Sequence, residues 1–270
     1  HDGTWLSGEQ VLEAMLAGET DQLTPVTLLP DPNLKSLFAI RDSKFEKFRE
    51  IDVYFPVLHG TFGEDGTLQG LFEMAEVAYV GAGVLGAALG MDKGIFKDVM
   101  TANQIPVVDG FVVSRGQLQT QMEAILDEAE EMAPYPLFTK PANMGSSVGV
   151  TKCRSRSDLY EGMMDAAHFD RRVLIERGIN AREIEIRVLG NDDPQASVPG
   201  EVCPEADFYS YNAKYHDDRS ELFIPAPIPE ATAEEMQRVA IKAYRAIDCA
   251  GMARVDFLLN RDSGEFYLNE

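Results

Sequence analysis

Pro136-Leu-Phe-Thr-Lys-Pro-Ala-Asn-Met-Gly-Ser-Ser-Val-Gly-Val-Thr-Lys152 decides how this chain is read. Leu137, Phe138 and Thr139 predict a strand that Lys140 and Pro141 end. Ala142 to Gly149 then make a loop holding Gly145, Ser146, Ser147 and Gly149, and the β-branched run Val148 to Thr151 predicts a second strand. Glycines let backbone N–H groups approach an anion closely, two hydroxyls add donors, and Lys140 brings a fixed positive charge to the root of the loop. That set of groups suits a polyphosphate. A Walker A loop opens a helix and ends in Lys-Ser/Thr, whereas this loop returns into a strand, so it is not a P-loop. Taken alone, the stretch reads equally well as an ordinary Gly/Ser hairpin loop.

The composition narrows the choice. A chain of 270 residues is long enough for about two domains and a sizeable core. Its 45% hydrophobic and 26% charged residues place it among ordinary folded proteins, not disordered ones. The net charge of −21, from 24 Lys+Arg against 45 Asp+Glu, argues against nucleic acid or an anionic membrane as partner. Any polyphosphate site must therefore gather its cations locally, which gives Lys140 weight. Cys153, Cys203 and Cys249 are odd in number and form no CxxC pair, the pattern of free thiols in a reducing cytosol. His1-Asp-Gly-Thr-Trp5 has neither a basic n-region nor an apolar h-region, and no apolar run approaches spanning length, so the expectation is a soluble cytoplasmic protein.

Outward from the loop, Ile51-Asp-Val-Tyr-Phe-Pro-Val-Leu58 is an apolar run of the kind buried parallel strands show. It leads into His59-Gly-Thr-Phe-Gly-Glu-Asp-Gly66. Ligands of open α/β sheets sit beyond strand ends, which draws attention to His59 and Glu64; a turn that caps a helix over Thr67 to Ala75 reads as well. Val77 to Val80 predicts a short strand. Lys93 and Lys97 stand four apart on one helical face, where two cations repel unless an anion lies between them, or else form a solvated surface pair. Residues 117–132 predict an exposed acidic amphipathic helix, Ser157 to Ala167 a helix, Arg172 to Glu176 a strand ending in an acid, and Ile184 to Leu189 a half-buried strand. Ala231 to Ile247 predicts a helix with Met236, Val239, Ala240, Ala243 and Ile247 on one face.

Ala253 to Leu259, the turn Asn260 to Gly264 and Glu265 to Glu270 read as a β-hairpin. A turn centred near Asp262 sets Asp256 opposite Leu268, with Glu270 diagonal to Asp256 and Arg254 on the same face. Two carboxylates converging beside a phosphate loop suit Mg²⁺, which favours one or two carboxylates plus phosphate oxygens. A surface hairpin with incidental acids is the rival reading in so acidic a chain.

Together these segments resemble the ATP-grasp superfamily and, within it, the D-alanine–D-alanine ligases. The resemblance runs from about Ile51 to Glu270. It rests on His59 to Gln69, Met91-Asp-Lys93, Lys140-Pro, Gly145-Ser-Ser-Val-Gly149, Leu174-Ile-Glu176, Tyr211-Asn-Ala-Lys-Tyr215, Arg254-Val-Asp256 and Leu268-Asn-Glu270. Each is weak alone; eight in the family's order are specific.

The resemblance implies an α+β ATP-grasp fold with an N-terminal α/β, Rossmann-like domain over 1–90. The two ATP-grasp subdomains then cover 91–178 and 179–270. It implies that Lys93 and Lys140 hold ATP phosphates under the Gly145, Ser146, Ser147 and Val148 loop. Glu176 would bond the adenine amino group, the backbone near Ile179 the adenine edge, and Glu183 the ribose. Lys214 would reach the γ-phosphate, and Asp256 and Glu270 would bind Mg²⁺ or Mn²⁺. His59 would contact the first of two D-alanines, and Arg254 would stabilise the tetrahedral intermediate. Ser146 and Tyr215 would belong to the hydrogen-bond network beside the substrates. The implied reaction proceeds through an acyl phosphate and serves peptidoglycan precursor synthesis. It requires no protein nucleophile, in keeping with the lack of a Ser-His-Asp or Cys-His arrangement.

Family members that make the D-alanyl–D-lactate ester commonly carry Phe or His where Tyr215 stands, so Tyr215 favours the dipeptide. Tyr209 to Ser220 is the expected lid, although Ser210 and Asn212 stand where acids are frequent. The resemblance is compatible with a homodimer. The family's chain starts earlier, with a Gly-rich turn and a substrate-binding Glu, and continues past Glu270 to an Asn metal ligand, so truncation at both ends is expected. Other readings are an ester-forming or other ATP-grasp carboxylate–amine ligase and a non-catalytic ATP-binding protein. A dinucleotide dehydrogenase is disfavoured because no G-x-G-x-x-G follows a strand.

Overall fold

Strand parity, set by alternation of apolar and polar residues, places the chemistry of this protein, and two sheets carry it. The computed structural model describes residues 3–203 and 221–270. The chain forms two compact units, His1–Pro56 with Thr67–Val80, and Val57–Gly66 with Gly81–Glu270.

The first unit holds β1 (Trp5–Ser7), α1 (Val11–Ala17), β2 (Thr24–Leu28), β3 (Ser36–Arg41), β4 (Lys44–Glu50) and α2 (Thr67–Met74). The strands form an antiparallel sheet in sequence order. Leu68 and Phe72 of α2 join Leu28 and Ala75 in a small core. The Phe72 ring lies 5.0 Å from that of Tyr54 and 5.1 Å from that of Tyr79. The expected buried strand over Ile51 to Leu58 does not form. Among the described residues its only strand pairing is a parallel bridge from Tyr54 to Tyr79, and Phe55, Val57 and Leu58 are exposed. Pro56 has no N–H to extend a ladder.

The second unit begins with α3 (Val84–Met91) and α4 (Lys93–Ala102). It continues through β5 (Gly110–Ser114), α5 (Arg115–Met132), β6 (Leu137–Pro141), β7 (Thr151–Cys153), α6 (Arg156–Phe169) and β8 (Arg172–Arg177). The sheet order is β5-β8-β6-β7, all antiparallel. Ser114 caps α5: its Oγ accepts from Gln117 N–H at 3.2 Å while Gln117 Oε1 accepts from Ser114 N–H at 2.8 Å. Leu118, Ile125, Leu126 and Ala129 of α5 and Leu159, Met163 and Ala166 of α6 meet Leu137, Val173 and Ile175 in one core. Alternation along β6 and β8 then sends Lys140 and Glu176 to the face away from those helices. The second strand starts at Thr151, not Val148. Ser146 and Ser147 have φ of 54° and 57° and Gly149 of 70°, so the chain is still turning there.

A second sheet follows, of β9 (Ala181–Leu189), β10 (Gln195–Ala196), β11 (Gly200–Cys203), β12 (Glu221–Phe223), β13 (Met252–Asn260) and β14 (Phe266–Leu268). Helix α7 (Glu230–Ala246) lies between β12 and β13 in the chain. The order is β12-β11-β9-β13-β14, with β10 on β9. Met236, Ala240, Ala243 and Tyr244 of α7 bury against Ile184, Ile186, Val188, Val255 and Phe257, joined by Phe96 and Met100 of α4. The helical face read from the sequence is the buried one. Burying a Met or Ile side chain contributes about 1.5–3 kcal/mol, so this seam fixes α4 as well as α7.

The hairpin register differs by one residue from expectation: Phe257, not Asp256, lies opposite Leu268. The turn is responsible. Asn260 N–H donates to Glu265 O at 2.8 Å and Asn260 Oδ1 accepts from Asp262 N–H at 2.8 Å, leaving four residues, 261–264, outside the ladder. Among the described residues no helix is long and apolar enough to cross a membrane.

Met236→Ala is expected to destabilise the second unit by about 2–5 kcal/mol in urea unfolding, whereas Leu189→Ala, at a residue 64% exposed, should change it by less than about 0.5 kcal/mol. Equal effects from the two would contradict the assigned core.

Candidate active site

Asp92 sets the position of α4. Its carboxylate accepts from Ile95 N–H at 3.0 Å as an N-cap and also pairs with Arg172 of β8. This gives the Met91-Asp-Lys93 motif a structural cause: the acid fixes the helix start, and the lysine then points into the site. Lys93 N–H donates to Ala142 O at 2.8 Å. Its Nζ donates to Met144 O at 2.6 Å and pairs with Glu270 Oε1 at 2.7 Å. One side chain thus joins α4, the glycine–serine loop and the end of β14. Lys97, one turn on, donates to Val108 O at 2.8 Å and pairs with Glu176. Both lysines are buried, so they are no solvated surface pair; each has its own carboxylate.

Glu176 lies on β8 opposite Phe138, and Lys140 on β6 opposite Leu174. They are diagonal neighbours on one face and form an ion pair. The Glu176 carboxylate, 3% exposed, is shared by Lys140 and Lys97. Burial works against its charge, but the two ammonium groups outweigh burial and hold its carboxyl below the ordinary range. Lys140 is raised in spite of burial by Glu176, with Glu270 and Glu183 adding. Lys140 Nζ also lies 3.5 Å from Asn269 Oδ1.

Ala142 to Gly149 is strained and tightly seated. Consecutive serines in the left-handed region cost about 1–3 kcal/mol each, a strain common at ligand clamps. A Cβ on Gly145 would come within 2.9 Å of Gly60 Cα. Only glycine lets this loop and the His59 loop touch backbone to backbone, which brings Ser146 and His59 onto neighbouring segments. Thr61 Oγ1 also lies 3.5 Å from Met144 Sδ. Glu64 accepts from Gly60 N–H, and Asp65 from Phe62 N–H at 2.8 Å, so these acids brace the His59 turn.

On the second sheet, Asp256 of β13 pairs in register with Glu185 of β9, and Arg254 with Arg187. Arg254 grips Asp256 with two bonds of 2.7 and 2.6 Å and approaches Glu185 at 3.6 Å. Asp256 N–H donates to Glu270 O at 2.8 Å, and Asn269 N–H to Asp256 O at 2.8 Å. The carboxylates therefore converge despite the shifted register. Asp256 is pushed up to about 6, by burial first, against the pull of Arg254 and with the Glu185 and Glu270 charges adding. Excess negative charge of this kind fits a divalent cation, although no cluster of three metal-ligating side chains occurs among the described residues.

Glu183 sits on β9 two residues before Glu185, and Ile179 is half-buried just after β8. Lys214, Tyr215 and the expected lid, Tyr209 to Ser220, lie outside the described residues. Two residues of the constellation, Glu185 and Asn269, and one pairing, Lys97 with Glu176, were missed by sequence reasoning. Glu185 carried a signal, since alternation puts it on the face of Glu183. Asn269 and the ion pair of Lys97 with Glu176 depend on how separate segments meet and carried none.

Residues 1–82 match the family model for the D-ala D-ala ligase N-terminus, and residues 99–270 that for the D-ala D-ala ligase C-terminus. The chain belongs to the D-alanine–D-alanine ligase family. It is 47% identical over 268 residues to the D-alanine–D-alanine ligase of Heliobacterium modesticaldum, covering 99% of this chain and 73% of that one. It is 43% identical to that of Natranaerobius thermophilus, covering 100% and 73%. Its structure is similar to that of the D-Ala:D-Ser ligase VanG from Enterococcus faecalis, with a TM-score of 0.84 and 33% identity over 99% of this chain and 76% of that one. The fold is accordingly the ATP-grasp fold of D-alanine–D-alanine ligases, and the family implies ATP and a divalent metal.

The raised Asp256 carboxyl has a consequence for the ligand-free protein. Its folded value of about 6 lies above the unfolded value, about 3.9, so the ionised side chain destabilises the fold above pH 6 and ceases to do so as pH falls through that window. Asp256→Asn is expected to raise the unfolding free energy at pH 8, by up to about 3 kcal/mol, with the gain gone near pH 4. A variant less stable than the parent at pH 8 would contradict this.

Proposed function

We propose that this chain joins two D-alanine molecules into D-alanyl-D-alanine, using ATP. The observation that carries the reading is the pairing of Lys93 with Glu270 beside the Arg254–Asp256 pair and the buried Lys140–Glu176 pair. It gathers cations for transferred phosphoryl oxygens in a chain of net charge −21, with no nucleophile called for.

A carboxylate oxygen of the first D-alanine attacks the γ-phosphorus and ADP departs, leaving D-alanyl phosphate. The amine of the second D-alanine then attacks the acyl carbon. Collapse of the tetrahedral intermediate breaks the carbon–oxygen bond to phosphate, which leaves with that carboxylate oxygen, and the new amide sheds a proton. Lys93, Lys140 and Lys214 hold ATP phosphates, and Gly145, Ser146, Ser147 and Val148 cover them. Glu176 and the backbone near Ile179 receive adenine, and Glu183 the ribose. His59 orients the first D-alanine, Arg254 faces the charge that builds on the tetrahedral oxygen, and Ser146 with Tyr215 completes the substrate network. Asp256 and Glu270 would hold Mg²⁺ or Mn²⁺, which supplies positive charge to the phosphate oxygens.

The division into 1–90, 91–178 and 179–270 belongs to the same proposal, supported by the separate cores of the two sheets. So do a cytoplasmic location, a homodimer and a place in peptidoglycan precursor synthesis. The likeness to VanG favours one second reading, D-serine as the second substrate, and Tyr215 speaks for D-alanine over D-lactate.

The test is ADP release from Mg-ATP with and without D-alanine, with D-serine and D-lactate offered beside D-alanine. D-alanine alone should stimulate release, and Asp256→Asn should lower it at least about a hundredfold. ADP release indifferent to D-alanine would refute the ligase reading; stronger stimulation by D-serine added to D-alanine than by D-alanine alone would select the second.

A further inference from the structure

Glu176 offers one charge to two cations, and the cations differ in what else they hold. Lys97 Nζ donates to Val108 O at 2.8 Å from a side chain 10% exposed, on a helix fixed by its Asp92 cap and by Phe96 and Met100 in the core. Beyond Glu176, Lys140 has Asn269 Oδ1 at 3.5 Å, the outer limit of a hydrogen bond. The Phe138 ring centroid lies 6.0 Å from Lys140 Nζ, so apart from Glu176 Lys140 has only weak contacts among the described residues, whereas Lys97 is anchored.

Under the proposed function, Lys140 turns to nucleotide phosphate and Glu176 to the adenine amino group. They cannot do so while bonded to each other. A carboxylate this buried, left without a cation, takes up a proton instead of staying charged. We propose that Lys97 is a positioning residue for the nucleotide: it holds the Glu176 carboxylate in place and charged, so that Lys140 can exchange it for phosphate. This rests on the assignment of Lys140 and Glu176 to ATP. The groups that bear on the exchange are Lys97 from α4 with Asp109 beside it, Lys140 from β6, and Glu183 and Glu270, which favour the charged Lys140.

Calorimetric titration with a magnesium complex of a non-hydrolysable ATP analogue, in two buffers of different ionisation enthalpy near neutral pH, tests it. The parent should take up no proton on binding. Lys97→Met should take up about one proton and bind about tenfold more weakly, the equivalent of one pKa unit. Weaker binding without proton uptake, as a merely structural loss would give, or unchanged binding, overturns the proposal. The pair Glu176→Gln and Lys97→Met/Glu176→Gln supplies a second reading that stands even where Lys97→Met fails to fold. With Glu176 neutral, loss of Lys97 should add less than about a twofold weakening, and a further tenfold loss overturns the proposal. A parent that binds the analogue but releases no D-alanine-dependent ADP sinks the ligase reading alone; a parent that does not bind it sinks both.

Discussion

The site depends on one buried charge. Glu176 on β8 draws Lys140 from β6 and Lys97 from α4 to a single carboxylate, and so ties a helix and two strands at a place where apolar packing alone would not specify side-chain positions. Removing one partner of such a group costs about 3–5 kcal/mol, because the remainder is left buried and uncompensated. Under the proposed function the same charge has to change partners, Lys97 keeping the carboxylate in place while Lys140 leaves it for phosphate.

Parity of the strands does the rest. In the first sheet of the larger unit, Leu137, Val173 and Ile175 turn toward α5 and α6, so Lys140 and Glu176 must turn the other way. In the second, Ile184, Ile186, Val255 and Phe257 turn toward α7, so Glu183, Glu185, Arg254 and Asp256 must share the opposite face. The cost of that second face is visible in Asp256, whose charge burial opposes in spite of its pairing with Arg254. Stability given up at a site in this way is a common accompaniment of activity.

Much of this was legible in the chain. Alternation in Ile184 to Leu189 and the spacing of Met236, Ala240 and Ala243 are local signals, and both elements stand as read. The motifs single out His59, Lys93, Lys140, Glu176, Arg254, Asp256 and Glu270 by residue type and by neighbours near in sequence, and the ion pairs Lys93–Glu270, Lys140–Glu176 and Arg254–Asp256 join six of them. What failed was decided elsewhere. Apolar Ile51 to Leu58 looks like a buried strand, but burial needs a partner that composition cannot report. The hairpin register turned on one residue of turn length, set by Asn260 bonding to Glu265. The strand expected at Val148 gave way to two serines in the left-handed region, which β-branched neighbours do not foretell. In the sequence Lys97 reads as half of a pair of lysines, while its partner, Glu176, lies 79 positions further along the chain.

The central claim, that a carboxylate is activated by phosphoryl transfer before the amide forms, is tested most directly by following oxygen. With D-alanine labelled by oxygen-18 in its carboxylate, and Mg-ATP unlabelled, the inorganic phosphate released should carry one labelled oxygen for each dipeptide made. Unlabelled phosphate accompanying dipeptide would contradict the account.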